Sequence, residues 1–219
     1  KNMTESMNVF CRFRPPNDQE NGELVAKIIN ATDLEVITKP KSTHNFSFTK
    51  IFPPETTQSE LYDEFGSKIL QHAIDGYNCT LMAYGQTSSG KTHTLTGDLE
   101  NSQGQGVAPR LIDGLFQRIQ RSERQFVVQA SFVEVYMEKV KDLLSPSKQN
   151  LDIRESKEKG ATILGVTQIY CNSYQDVMNV FGTGVGNRSV GATQMNSASS
   201  RSHSLLCLTV ESTLQETDR

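Results

Sequence analysis

The 219-residue chain contains no apolar run near the roughly 20 residues that a bilayer-spanning helix needs, so membrane insertion is not expected. Its first residues, Lys1-Asn2-Met3-Thr4-Glu5, show no signal-peptide pattern. Internal repeats and low-complexity tracts are absent too, which points to one continuous domain over residues 1–219. Excess charge of either sign is missing: Lys+Arg 22 against Asp+Glu 25 gives a net −3, which argues against nucleic acid as a global partner. Cysteine is sparse. Cys11, Cys79, Cys171 and Cys207 lie far apart among apolar or β-branched neighbours, a pattern of reduced core thiols in the cytosol rather than a zinc site or a disulfide framework. What is present, 36% apolar and 21% charged residues, suits a soluble globular chain and excludes a disordered or collagen-like one.

Strand and helix signals alternate. Met7–Phe13 alternates with period two and stops at Pro15-Pro16. Leu24–Ile29, Leu34–Thr38 and Phe46–Phe48 read as short strands of a small antiparallel excursion. Thr57-Gln58-Ser59-Glu60 is a capping box, followed by Leu61, Phe65, Ile69 and Ala73 on one helix face that ends near Gly76. Cys79–Ala83 is an apolar run fit for a buried strand. Pro109 opens a helix with Leu111, Ile112, Leu115, Phe116 and Ile119 on one side. Phe126–Tyr136 makes a long strand, and Ser145–Gly160 an exposed loop or hairpin. A third helix, capped at Asn172-Ser173 and carrying Val177, Val180 and Phe181, is expected to give way at Gly182, Gly184 and Gly186. Ser204–Val210 closes the series as an apolar strand. The pattern predicts an α/β layered fold with a mixed sheet.

Gly85-Gln86-Thr87-Ser88-Ser89-Gly90-Lys91-Thr92 matches G-x-x-x-x-G-K-[ST], with an apolar run before it and a helical start after it. Glycines let backbone N–H groups curl around an anion, and the following helix N-terminus adds partial positive charge. In this pattern Lys91 bridges the β- and γ-phosphates and the Thr92 hydroxyl ligates Mg²⁺. A nucleoside triphosphate is the expected ligand.

Asn196-Ser197-Ala198-Ser199-Ser200-Arg201-Ser202-His203 gathers hydroxyls, an amide, a cation and an imidazole just before the last strand. Alone it reads equally as a polar loop. Beside the phosphate loop, it makes the chain resemble the kinesin motor domain, with the pieces in the family's order. Arg12-Phe13-Arg14-Pro15 is similar to the family's R-x-R-P base motif, Tyr84 through Thr94 to its phosphate loop, and Asn196–His203 to its switch I, N-x-x-S-S-R-S-H. Phe132–Leu144 resembles the strand leading to the family's microtubule-contacting loop. Conventional kinesin heavy chain and its fungal relatives are the nearest subgroup by resemblance.

The resemblance implies a P-loop NTPase three-layer fold, a central mixed β-sheet flanked by helices. It also implies a microtubule-dependent motor ATPase that binds Mg-ATP, holds ADP after hydrolysis, and couples turnover to movement. Arg12, Arg14 and Pro15 would flank the adenine with His93 stacking from the phosphate-loop side, and Gly85, Gln86, Thr87, Ser88, Ser89, Gly90, Lys91 and Thr92 would hold the phosphates. Ser199 and Ser200 would sense the γ-phosphate and its metal, Ser200 on the metal side with Thr92. Asn196 would help position nucleotide or water, and Arg201 would pair with a glutamate of a second switch. On an acidic tubulin face, Lys141 and Arg154 are the candidate contacts, although Glu138, Asp142, Asp152 and Glu155 nearby also suit a solvated charged loop. Asp98–Gly106 would be a surface insertion in the helix after the phosphate loop, and its flexible-loop composition agrees.

The family's second switch, D-x-x-G-x-E, has no match after switch I; Asp63-Glu64-Phe65-Gly66 lies upstream of the phosphate loop and is taken as chance. The chain is thus expected to be the N-terminal portion of a motor whose parent continues, dimerises through a coiled coil and works on cytoplasmic microtubules. A non-motile nucleotide- or microtubule-binding module of kinesin fold is the other reading.

Overall fold

The computed structural model describes residues 7–16, 25–38, 42–156, 160–194 and 202–214, with backbone alone over 189–194. They group into two compact units. One draws on the chain up to Gly66 and on Met82–Val107, the other on Ser67–Leu81 and the chain from Ala108 onward.

In the first unit β1 (Phe10–Arg12) begins the chain's regular structure. A three-stranded antiparallel meander follows, β2 (Ala26–Ile28), β3 (Asp33–Thr38) and β4 (Ser42–Ser47), with Ala26 opposite Val36 and Leu34 opposite Phe46. The small antiparallel excursion read from the sequence is therefore present. β5 (Lys50–Phe52) then returns parallel to β1, with Cys11 opposite Ile51. Ile51, Phe52, Leu61 and Phe65 are buried here, and the Phe10 and Phe65 rings lie 4.9 Å apart.

The capping box forms as expected. α1 (Gln58–Leu61) starts at Thr57, whose hydroxyl accepts the Glu60 N–H while the Glu60 carboxylate accepts the Thr57 N–H at 2.8 Å. These bonds, backbone first and then the Thr57 hydroxyl, pull the Glu60 carboxyl below its ordinary value. One π turn (Tyr62–Gly66) follows, and the second unit takes up the chain at α2 (Ser67–Ile74). A π turn holds one extra residue, so the buried positions step from Leu61 to Phe65 to Leu70, and Ile69 is only partly buried.

Residues 77–85, where a buried strand over Cys79–Ala83 was expected, carry no regular structure, and Met82 and Tyr84 are exposed. A strand exists only with a hydrogen-bonding neighbour, and among the described residues none pairs with this run. α3 (Lys91–Leu95) is brief. The exposed loop after it is tied at its base by the Gly97–Gln105 bridge and by the Gly106 N–H donating to Thr96 O at 2.9 Å.

α4 (Val107–Gln120) begins two residues before Pro109 and buries Ile112, Leu115 and Phe116 as its spacing requires. β6 (Arg124–Tyr136) is the backbone of the second unit. It turns at Met137 and Glu138, both at positive φ as a two-residue hairpin turn demands, into β7 (Lys139–Asp142). β8 (Gln149–Leu151) extends that sheet, and β9 (Ile153–Ser156) pairs with β10 (Gly160–Ile163), so the stretch Ser145–Gly160, expected as an exposed loop or hairpin, holds one strand of the sheet and the first arm of a hairpin that runs on to Ile163. β11 (Ile169–Tyr170) lies on β6.

α5 (Tyr174–Gln194) opens with Ser173 Oγ accepting the Asp176 N–H and Asp176 accepting the Asn172 N–H. Contrary to the sequence expectation, it runs on through all three glycines. Gly184 explains why: a Cβ there would sit 2.0 Å from Cδ1 of buried Phe132, so the missing side chain lets the helix lie against β6. Gly184→Ala should therefore destabilise the protein by about 2 kcal/mol, the overpacking outweighing the roughly 1 kcal/mol of helix propensity gained, which urea unfolding will measure. A variant as stable as wild type would show that Phe132 gives way freely.

β12 (His203–Leu214) pairs antiparallel with β6 along its whole length. Leu206, Leu208 and Val210 pack on the cluster of Ile112, Phe116, Val128, Ala130, Val177 and Val180. The four thiols are free, but only Cys171 is buried. Cys207 lies on the strand face away from that cluster and Cys79 in the unpaired stretch, both exposed, so these two are not core thiols.

Candidate nucleotide site

The phosphate loop and the base motif both lie in the first unit, and a cavity of about 140 Å³ joins them. Arg12, Arg14, Pro15, Ser89, Gly90 and His93 line it together with Pro54 and Thr56. Six of the residues expected to bind nucleotide thus share one pocket. A larger cavity of about 490 Å³ lies in the same unit, but carboxylates of Glu55, Glu60, Asp63 and Glu64 line it and would repel phosphate.

The loop conformation follows from its residues. Gly85, Ser88 and Gly90 have φ of 156°, 65° and 95°, and the last two lie in the left-handed region that glycine enters freely. A Cβ on Gly85 would lie 2.4 Å from Ser89 Oγ, so the turn closes only with glycine there. Gly90 caps α3, and the first intrahelical bond runs from the Thr94 N–H to Gly90 O at 2.9 Å. The N–H groups of Lys91, Thr92 and His93 therefore have no intrahelical acceptor. The Lys91 ammonium donates to Gly85 O at 2.7 Å and Gln86 O at 2.8 Å, which folds it across the loop. Thr92, Gln86, Thr87 and Ser88 are exposed. An ammonium, first-turn N–H groups and hydroxyls on one curled backbone form a donor set that fits a phosphate chain with a hydroxyl-ligated Mg²⁺.

Arg12 departs from its expected role beside the base. Its Nη1 donates to Gln58 Oε1 at 2.9 Å and Thr94 Oγ1 at 3.0 Å, and its Nη2 to Thr56 O at 3.3 Å. Burial pushes its pKa down from the ordinary arginine value. Gln58, 5% exposed, completes the network: its Nε2 donates to His93 O at 2.7 Å and Gly104 O at 3.3 Å. Arg12 thus braces α3 from behind, while Arg14, which donates to Pro15 O at 3.0 Å, remains beside the pocket with Pro15 and His93. Sequence reasoning missed Gln58 because its partners lie 35 and 46 positions away. Its only local signal is the capping box, which explains Thr57 and Glu60 alone. Gln58→Leu removes one of the Arg12 guanidinium's acceptors and the amide donor to His93 O and Gly104 O, loosening the brace behind α3, so nucleotide affinity should fall about tenfold, read by fluorescent-ADP titration. Affinity within twofold of wild type would show that α3 needs no brace.

Asn196, Ser199, Ser200 and Arg201 lie outside the described residues. Lys141 is half-buried on β7, opposite Glu134 and Gln149, while Arg154 is exposed on β9, opposite Thr162. The two candidate microtubule contacts thus stand on different sheets.

The family model for the kinesin motor domain matches residues 12–219. The chain belongs to the kinesin motor domain family. Similar proteins include kinesin-related protein 3 of Dictyostelium discoideum, 40% identical over 94% of the chain and 18% of that protein. The kinesin-1 heavy chain of Rattus norvegicus is 36% identical over 98% and 22%, and the kinesin heavy chain of Syncephalastrum racemosum 41% over 94% and 23%. The chain spans about a fifth of the length of these relatives. A solved fast kinesin, whose structure was interpreted for ATPase mechanism and microtubule interactions, shares the fold with a TM-score of 0.91 and 34% identity. That match covers 98% of the chain and 62% of the solved one. The α/β architecture, a mixed sheet with helices, is thus that of the kinesin P-loop fold, and the family is one of microtubule motors. No helix among the described residues is long and apolar enough to cross a membrane.

Proposed function

We propose that the protein is a microtubule-dependent motor ATPase that binds Mg-ATP and couples its hydrolysis to movement along cytoplasmic microtubules. The observation carrying this reading is the shared pocket: phosphate-loop residues Ser89 and Gly90 and base-motif residues Arg14, Pro15 and His93 line one cavity beside the first turn of α3. Arg14, Pro15 and His93 offer planar and apolar faces for a purine, and stacking of this kind favours adenine where no group reads the guanine edge. Lys91 exchanges its two loop carbonyls for β- and γ-phosphate oxygens, and the first-turn N–H groups hold the same oxygens. Mg²⁺, held by the Thr92 and Ser200 hydroxyls, would neutralise charge building on the transferred phosphoryl group. Asn196 and Ser199 orient the attacking water and respond to the γ-phosphate, and Arg201 locks that arrangement through a carboxylate partner. Lys141 and Arg154 contribute salt-sensitive contacts to acidic tubulin, and two copies of the protein act together as a dimer.

Phosphate release with ATP and with GTP, each with and without microtubules, tests the reading on the full protein. Microtubules should raise ATP turnover at least about tenfold, with GTP turned over about tenfold more slowly. Binding of ATP without turnover in either condition would replace the motor with a non-motile nucleotide-binding module. No binding at all would remove the pocket from the account.

A further inference from the structure

In the second unit the β9–β10 hairpin forms a two-stranded sheet of its own, apart from the sheet of β6, β7, β8, β11 and β12. β9 is exposed along its whole length, Ile153 at 61%, so apolar burial does little to tie it down. A two-stranded hairpin is only marginally stable in water. Its direction must therefore be set where the chain leaves the larger sheet and where it returns.

Asn150 shapes the exit. β8 pairs with β7 through Lys141 opposite Gln149 and Val140 opposite Leu151, and the register shift between these pairs leaves Asn150 as an extra residue. Its φ of 57° lies in the left-handed region, which asparagine enters far more readily than a β-branched residue does. A bulge of this kind bends its strand, here just before β9 begins at Ile153. Lys148 holds the return. Its N–H donates to Ser145 O at 2.8 Å and its carbonyl accepts the Asp142 N–H at 3.1 Å, so its backbone is pinned first. From that base the ammonium donates to Gly165 O at 3.0 Å and to Thr167 Oγ1 at 3.2 Å, just past β10. Thr167 is held from its other side as well, its N–H donating to Oδ2 of buried Asp142 at 2.7 Å. Between exit and return the Leu164 N–H donates to Asp152 O at 2.8 Å and closes the neck. Within the hairpin, Thr162 Oγ1 donates to Arg154 O at 3.1 Å.

The geometry points to Asn150 and Lys148 as positioning residues that fix the direction of the β9–β10 hairpin and so aim Arg154 at the acidic face of tubulin. This rests on the microtubule contact proposed above for Arg154. Both side chains are exposed, so the core does not depend on them. What they add is orientation: a bulge sets the angle at which β8 hands the chain to β9, and hydrogen bonds with preferred directions fix where β10 comes back.

Hydrogen exchange and microtubule-stimulated turnover, measured on the full protein carrying Asn150→Val or Lys148→Met, test it. Amide exchange across 160–167 should quicken about tenfold, with β6 and β12 unchanged. The half-saturating microtubule concentration should rise about fivefold, while kcat at saturating microtubules and ADP affinity stay within about twofold. Asn150→Gly, which enters positive φ freely, should behave as wild type. Arg154→Ala should weaken microtubule binding in the wild type but add little in either variant, since a contact already turned aside is lost only once. Additive losses with Lys148→Met, with exchange and Asn150→Val both unchanged, would make Lys148 a direct contact and overturn the proposal. So would exchange rising evenly through β6 with kcat and ADP affinity falling together, the mark of general destabilisation. If Asn150→Val does not fold, Lys148→Met, which alters no backbone preference, carries the exchange and the Arg154→Ala comparison alone. A wild type that binds no microtubules would remove the proposed partner and leave the aimed hairpin to the exchange result, standing if 160–167 alone quickens and falling if it does not.

Discussion

Lys91→Ala is expected to reduce ATP turnover by about 10³-fold, basal and microtubule-stimulated alike, with the fold intact. The ammonium is the only side-chain cation that reaches across residues 85–86 among the described residues, donating to both carbonyls within 2.8 Å. One pre-positioned donor on the developing phosphate charge accounts for about 4 kcal/mol of barrier. Truncation removes that donor and leaves two carbonyls able to turn to solvent. Stability should therefore change little, because Lys91 opens a short helix that buries no side chain. Lys91→Arg should not rescue turnover, since the guanidinium fork is larger than the ammonium and is not a point charge. Phosphate release and thermal melting on the same preparations separate the effects. Turnover within tenfold of wild type would show that the loop does not hold the reacting phosphates.

Asp142→Ala should have the largest effect on stability, a loss of about 4 kcal/mol by urea unfolding. The carboxylate is 1% exposed, and three backbone N–H groups converge on it: Leu144 at 2.8 Å and Ser145 at 3.2 Å on Oδ1, and Thr167 at 2.7 Å on Oδ2. Removing it orphans three donors, each worth roughly 1–3 kcal/mol when left unpaired in a dry site. The Thr167 bond also ties the turn after β7 to the approach to β11, 25 residues on, so its loss frees both loops. Asp142→Asn keeps one oxygen for Leu144 and Ser145 but turns an amide donor toward the Thr167 N–H, and should lose about half as much. If Asp142→Ala unfolds at the wild-type urea concentration, the three bonds contribute nothing net.

Several elements were legible because their cause is local. Thr57 and Glu60 form their capping box from four consecutive residues, the alternation in 126–136 is the pleat itself, and Ile112, Leu115 and Phe116 repeat at the helical period. The phosphate loop belongs to the same class, since its turn depends on Gly85 and Gly90 within one short stretch. Residues 79–83 failed for the opposite reason: an apolar run states a capacity for pairing but does not supply the neighbour. Gly182, Gly184 and Gly186 misled because propensity weighs a glycine against solvent, whereas Gly184 is set against the Phe132 ring, 52 positions away in the chain.

The same division runs through the site. Sequence alone determined that this chain carries the patterns G-x-x-x-x-G-K-[ST], R-x-R-P and N-x-x-S-S-R-S-H in kinesin order, because each is written in neighbouring residues. Tertiary structure decided how those pieces are held. It drew Arg12 to Gln58 and Thr94 behind α3 and gave Asp142 three distant and near N–H groups to satisfy. Those pairings are set by burial. A charged or amide group removed from water must find a partner wherever the fold brings one, and that partner lies at no fixed spacing along the chain.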